Sequence, residues 1–206
     1  MLTLYSIKDI ILSKFEIFEY ETKINTKIYN VKYNNSNYLI EPKTVFNNCS
    51  YISNKVNKIR ININSNVYDE RGFDMLLTKI HTGVNKCIYK NDNLKTLTLI
   101  TPTNNSNILE NTKVIYLHIN ENTLLYDYET KETLTPEILK FKRFDIYPVI
   151  YAPSLNISNN NIYMNFILKE GAIVITSDNN LNKISTVNEE DVKNAFNKKN
   201  NNLRNN

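Results

Sequence analysis

The 206-residue chain has few of the residue types that nucleotide-binding and catalytic motifs need. It contains three glycines, two cysteines, two histidines and no tryptophan. Gly72, Gly83 and Gly171 stand far apart in the sequence. Loops that cradle phosphates need glycines close together, where the backbone approaches the ligand. The sequence therefore argues against Walker-type loops and dinucleotide-binding motifs.

Cysteine and histidine are too scarce for a disulfide framework or a standard zinc site. Two cysteines, Cys49 and Cys87, favour a reducing compartment. A zinc site would have to join both to His81 and His118, at spacings that match no usual zinc motif. We expect instead that His81 lies on a solvated helix face and that Cys87 packs in the core.

Serine-based and metal-based catalysis also lack a recognisable pattern. No Gly-x-Ser-x-Gly elbow is present. A nuclease would hold magnesium through carboxylates, but the acids here match no known spacing and suit exposed strand ends. We therefore expect a protein that is not an enzyme and has no catalytic residue, metal or cofactor; a metal nuclease is the weakest alternative. The acids considered are Asp69, Glu70, Asp127, Glu129 and Asp145.

Long apolar runs are absent as well. No window approaches the roughly 18 to 20 apolar residues of a membrane helix, so we expect no membrane association. Charges interrupt the apolar N-terminal stretch, so we expect no signal peptide. Hydrophobic residues make up 41% of the chain and the net charge is +4. The abundance of Asn, Ile, Lys and Tyr is typical of an AT-rich genome, which explains much of this charge. The charge alone therefore does not indicate a nucleic-acid partner.

Much of the chain alternates polar and apolar residues with period two, as half-buried strands do. Residues 56–63 place isoleucines on one face and Lys58, Arg60 and Asn62 on the other. The Asn-rich residues 34–37 predict a hairpin turn, after which Tyr38, Leu39 and Ile40 return, because Asn tolerates positive φ. A turn is also predicted at residues 159–161. Further strands are predicted at residues 26–33, 94–101, 113–119, 123–128, 145–152, 161–169 and 172–176.

Three helices are predicted. The main one carries apolar residues at helical spacing from Phe73 to Ile88, with Asp69 as cap and Gly83 as its end or a bend. A short one starts at Thr135-Pro136, and a third covers about residues 188–198, before a disordered polar tail. The order of elements predicts a β-rich α+β fold: an OB-like barrel with one main helix between strands and a short C-terminal helix. The expected domain spans residues 1–185, and residues 186–206 form the terminal helix and tail.

Cations and aromatic rings occur together around residues 140–144. Such a cluster suits stacking on bases beside a phosphate backbone better than it suits bond-breaking chemistry. In a strand, Lys140, Lys142 and Phe144 would share one face and Phe141 and Arg143 the other. The alternative is that half or more of the strand aromatics pack in the core. The predicted DNA-binding residues are Lys58, Arg60, Lys142 and Arg143 for phosphates, and Phe144, Tyr147 and Tyr151 for stacking.

Three segments resemble the phage-type single-stranded DNA-binding proteins of nucleocytoplasmic large DNA viruses, a family with an OB fold. YLIEP at residues 38–42 is similar to a short strand ending in Pro after an early hairpin. IRINI at 59–63 leads into the helix, as in that family. VIYAPSLNI at 149–157, followed by NNIYMNFIL at 160–168, resembles the closing hairpin. Two features depart from the family: Met164 stands where Gly is common, and the chain ends in AFNKKNNNLRNN instead of an acidic tail.

This resemblance implies a protein that coats single-stranded DNA during viral replication or recombination, at replication sites in the host cytoplasm or the nucleus. RNA as an additional ligand and homo-oligomerisation stay open. The missing acidic tail puts recruitment of replication proteins in doubt. The main alternative is a non-enzymatic viral structural or host-interaction β-domain, which would show an apolar surface patch instead of a basic groove.

Overall fold

The computed structural model describes residues 1–4, 8, 10–21, 27–53, 56–107 and 112–176. Within these ranges the chain forms one α-helix, thirteen strands and short 3-10 helices, of which two are Leu12–Lys14 and Pro136–Leu139. No helix in the described ranges is long and apolar enough to cross a membrane. The elements are α1 (Tyr68–Lys90), β1 (Leu2–Leu4), β2 (Phe15–Glu21), β3 (Lys27–Tyr33), β4 (Tyr38–Ile40), β5 (Phe46–Ser53), β6 (Asn57–Asn64), β7 (Thr98–Leu99), β8 (Asn104–Asn107), β9 (Thr112–His118), β10 (Leu124–Asp127), β11 (Arg143–Tyr151), β12 (Ser154–Ser158) and β13 (Asn161–Thr176).

Five of these strands close into a barrel. Strand β5 pairs with β6, β6 with β9, β9 with β13, β13 with β11, and β11 again with β5. Numbered along the chain, the ring order is 1-2-3-5-4, and the pair of β9 and β13 alone within the ring is parallel. A closed five-stranded barrel of this kind is OB-like, so the predicted fold class is confirmed. Helix α1 lies between the second and third barrel strands.

The alternation predicted for β6 is confirmed. Ile59, Ile61 and Ile63 are fully buried inside the barrel, whereas Lys58 and Arg60 are partly exposed on its outside. Successive side chains of a strand point to opposite faces, so the barrel interior selects the isoleucines and leaves the cations on the surface.

Helix α1 buries the apolar stripe that the sequence predicts. It begins at Tyr68 after Val67, however, so Asp69 lies in the first turn and the expected Asp69 cap is wrong. The Asn64 backbone N–H donates instead to the Glu70 carboxylate, at 2.5 Å, which ties the end of β6 to the start of the helix. Gly83 does not end the helix, which continues to Lys90. The buried stripe comprises Phe73, Leu76, Leu77, Ile80, Val84 and Ile88.

The pairing around β4 differs from the expected hairpin. Asn34 and Asn35 have positive φ, so the predicted turn is present. Strand β4 nevertheless does not return along β3: it pairs with β1 and β11, while β3 pairs with β2 and β12. Tyr38 and Ile40 are fully buried, and this burial holds β4 in the core between β1 and β11.

Two further strand predictions are corrected, and one helix prediction lies outside the described residues. Residues 161–169 and 172–176 form a single strand, β13, which continues through Gly171. In the region 94–101 the structure has only the two residues of β7 in a strand. The turn before β13 is present, with positive φ at Asn159 and Asn160. The expected C-terminal helix and tail lie outside the described residues.

The packing of α1 on β2 requires a glycine at position 83. A Cβ placed on Gly83 would lie 2.2 Å from the ring of Phe15. That ring cannot move away freely, because it is buried and packs against Tyr33 and Tyr38 at centroid distances of 5.0 and 6.1 Å. Gly72, on the exposed side of the same helix, has nothing within 4 Å of its Cβ position.

We therefore predict opposite effects of alanine at these two glycines. Gly83→Ala overpacks the Phe15 contact and should lower the free energy of unfolding by about 1 to 3 kcal/mol. Gly72→Ala should raise it by roughly 0.5 to 1 kcal/mol, because alanine is the better helix former. Thermal unfolding followed by circular dichroism measures both. Equal shifts in the same direction would contradict the packing described here.

Candidate nucleic-acid interface

The outer face of β5, β6 and β9 is free of acidic residues. Their sequences, FNNCSYIS, NKIRININ and TKVIYLH, contain no Asp or Glu. They carry three lysine or arginine residues, Lys58, Arg60 and Lys113, and one histidine, His118. Lys113 points toward the helix and pairs with Asp74 at 2.6 Å, so Lys58 and Arg60 supply the positive charge of the outer face.

Four residues form a row across this face, which we call the cationic row. Strand pairing places Arg143 of β11 opposite Ser50 of β5, Ser50 opposite Arg60 of β6, and Arg60 opposite Tyr116 of β9. Three inter-strand spacings separate its ends, or about 14 Å. Arg143 is exposed and Tyr116 is 37% exposed. Neither arginine forms an ion pair with any residue that the structure describes. The row thus presents one accessible ring and two guanidinium groups that have no ion-pair partner in the described part of the chain.

A second pair lies beside the row. Strand pairing sets Lys58 opposite His118. The Lys58 ammonium lies 5.9 Å from the centroid of the Tyr116 ring. Burial lowers the pKa of His118, and the neighbouring Lys58 charge lowers it further. His118 is therefore mainly neutral at pH 7 and offers hydrogen bonds more than charge to a ligand.

Two of the predicted stacking rings are buried, which corrects that expectation. Phe144 is fully buried in the main core, and Tyr147 is only 3% exposed. Tyr147 lies on the outer face of β11, but Leu39 and Tyr126 cover it in a second, smaller cluster. A buried ring has no free face for a base, so stacking at Phe144 and Tyr147 is wrong for this structure.

Tyr151 is not brought together with the cationic row. It is half-buried against the same second cluster. It also stands at the opposite end of β11 from Arg143, eight residues or roughly 26 Å away. Of the seven predicted residues, the structure groups Lys58, Arg60 and Arg143, with Lys142 next to Arg143.

The residues before β11 do not extend the strand, so the strand faces considered for residues 140–142 do not apply. Strand β11 begins at Arg143, and residues 139–142 form a turn. Lys140, Phe141 and Lys142 are all exposed, and Phe141 has φ of 60°. The predicted stacking residues do not include Phe141 and Tyr116, whose rings are exposed. The sequence feature that indicates an exposed ring at Phe141 is its position between two lysines, because a ring whose immediate neighbours are charged has little to pack against.

The alternative chemistries find no support among the described residues. These contain no group of three or more His, Cys, Asp or Glu side chains that could hold a metal ion. A cavity of about 510 Å³ lies between α1, residues 101–103 and Lys113 of β9. His81 lines it, half-buried and with a pKa lowered by burial, instead of lying on a solvated face. Cys87 packs against the core as expected.

Comparisons with known proteins give distant structural similarity only. No protein-family model and no curated protein matches the chain. Similar solved structures include the single-stranded DNA-binding protein from bacteriophage Enc34, with 11% identity, a TM-score of 0.45, and coverage of 86% of this chain and 99% of that chain. The same phage protein in complex with ssDNA has 10% identity, a TM-score of 0.45, and coverage of 79% and 97%. Similarity at this level supports no conclusion about function, and membership of the viral family is not shown.

One buried carboxyl lies next to the cationic row. Asp145 is two residues from Arg143 on the same face of β11 and is only 2% exposed. It accepts a hydrogen bond of 3.0 Å from the Asn48 backbone N–H, where β5 is irregular. Burial raises the pKa of the Asp145 carboxyl, and this hydrogen bond offsets part of the rise. The folded protein therefore holds the Asp145 proton to higher pH than the unfolded chain does.

We predict that Asp145→Asn stabilises the protein increasingly as pH rises. A carboxyl whose pKa is raised by folding takes up a proton on folding, so stability falls as pH rises from its unfolded pKa of about 4. Asn keeps an oxygen for the Asn48 N–H and cannot ionise. The difference in Tm between variant and wild type should grow from pH 4 to pH 7. Glu121→Gln, at an exposed site with no ion pair to another described residue, is the control that should show no such trend. A flat difference for Asp145→Asn would contradict the assignment.

Proposed function

We propose that this protein binds single-stranded DNA across the outer face of β5, β6 and β9 and the start of β11. The observation that carries the proposal is the cationic row: Arg143, Ser50, Arg60 and Tyr116 stand in register on a face whose three strands lack acids. In OB folds the face of the second and third barrel strands binds oligonucleotides. Strands β6 and β9 hold those two positions here.

The mode of binding follows from the side chains present. Arg60, Arg143, Lys58 and Lys142 neutralise phosphates, and bound counterions are released to solution. Tyr116 offers a π face to one base. A tyrosine face and guanidinium groups contact every nucleotide in the same way, so the preference for sequence is weak. RNA binds at the same face if the 2′-hydroxyl is tolerated.

We also propose a wider role, which rests on the resemblance of residues 38–42, 59–63 and 149–168 to the phage-type viral family named above. On that basis the protein coats single strands during viral DNA replication or recombination, at replication sites in the host cell. No residue group of the described ranges suggests a reaction, and a binding protein is the better hypothesis than an enzyme.

We predict that the double substitution Arg60→Gln with Arg143→Gln weakens binding to a dT oligonucleotide. Two lost charge-assisted contacts should lower affinity about 10- to 100-fold at low salt. The slope of log K against log salt should decrease by about 1.4, at roughly 0.7 for each single-strand phosphate. Fluorescence titrations at several salt concentrations measure both values.

Arg71→Gln is the matched control, because Arg71 is exposed on α1 and contacts Tyr68 away from the row. It should leave affinity and slope close to wild type. Three results would overturn the proposal: no binding of dT by the wild type, binding that ignores salt, or an equal loss in Arg71→Gln.

A further inference from the structure

The turn before β11 holds an aromatic ring in solvent. The Lys142 backbone N–H donates to the Leu139 carbonyl at 3.3 Å, which closes a four-residue turn. Lys140 has φ −59° and ψ 131°, and Phe141 has φ 60°. These angles define a type II turn with Phe141 at its third position, where the positive φ normally requires Gly or Asn.

Neither packing nor backbone preference explains a phenylalanine at this position. The exposed fraction of Phe141 is 104%, so its ring gains no stabilisation from burial. Positive φ is unfavourable for a residue with a Cβ atom, most of all for a bulky one. Because Phe141 is neither buried nor in a favourable backbone conformation, its presence at this position suggests a role in function.

The surroundings of Phe141 point to a ligand that is both anionic and flat. Lys140 and Lys142 flank it, and Arg143 of the cationic row is two residues away, at most about 7 Å along the chain. None of these three cations forms an ion pair with another described residue. An exposed ring among unpaired cations matches an unstacked base with its phosphates.

We propose that Phe141 is the stacking residue that makes the interface selective for unpaired strands. This inference rests on the proposed function. The cations contact phosphates of single and double strands alike, whereas a ring on a projecting turn needs the free face of a base that has no neighbour stacked on it. In a duplex those faces are already covered by adjacent base pairs. The turn directs the Phe141 side chain outward before the DNA strand binds.

Alanine at Phe141 should lower affinity for a dT oligonucleotide about ten-fold, which is within the range for loss of one stacked base. Affinity for a duplex of equal length should stay unchanged, and so should the salt slope, because no charge is removed. Phe141→Tyr should keep the affinity. Tyr89→Ala, at an exposed ring on α1, is the matched control and should bind as wild type.

The variant Phe141→Gly distinguishes the effect of losing the ring on binding from any effect on stability. Glycine accepts positive φ, so this variant should unfold at the same temperature as wild type or higher, while its affinity for dT falls as in Phe141→Ala. A loss of binding therefore cannot be attributed to unfolding.

The absence of tryptophan from the chain allows a direct observation of stacking. Phe141→Trp introduces a single indole, whose emission should be quenched by dT and much less by duplex. Tyr89→Trp should show no quenching with either ligand.

The results distinguish the two proposals. Wild-type affinity for dT in Phe141→Ala, or equal losses on dT and duplex, would overturn the role of Phe141 and leave the cationic row intact as a binding site. Failure of the wild type itself to bind dT would overturn the proposed function.

Discussion

Closure of the five-stranded barrel is the constraint on which the rest of the structure depends. Because the ring β5-β6-β9-β13-β11 has no free edge, each strand must place one set of alternate residues inside. In β6 that set is Ile59, Ile61 and Ile63, and a slip by one residue would bury Lys58 and Arg60 instead. The same register that fills the interior therefore fixes the cations on the outside and brings Arg60 opposite Tyr116.

Strand β11 differs from β6 because both of its faces are covered. Phe144 and Ile146 face the main core, and Tyr147 and Val149 face the second cluster under Leu39 and Tyr126. Arg143 is the one exposed residue of the strand, Tyr151 is half-buried at the other end, and the seven residues between them are buried. The interface is thus limited to one end of β11, where the exposed ring is Phe141 and not the tyrosines of the strand.

The features of the fold that depend on local periodicity could be predicted from the sequence. The inward isoleucines of β6, the apolar stripe of α1 and the Asn-rich turns follow from spacing and from the backbone preferences of Asn. The fate of Tyr147 depends on β4 and β10, which pack on β11 and β13 from distant parts of the sequence, and no local pattern reveals such a cover. Phe141 precedes the strand predicted at residues 145–152, and its position among cations does not show whether its ring is buried. The turn geometry and the exposed fraction of the side chain show that it lies in solvent.

The most direct measurement is the map of backbone amide chemical-shift changes when the protein binds a dT oligonucleotide. The largest changes should fall on the strands β6 and β9 and on residues 139–143. Largest changes on β2 and β3, which lie outside the barrel ring, or no changes at saturating oligonucleotide, would contradict a single-strand interface on the outer face of β5, β6 and β9.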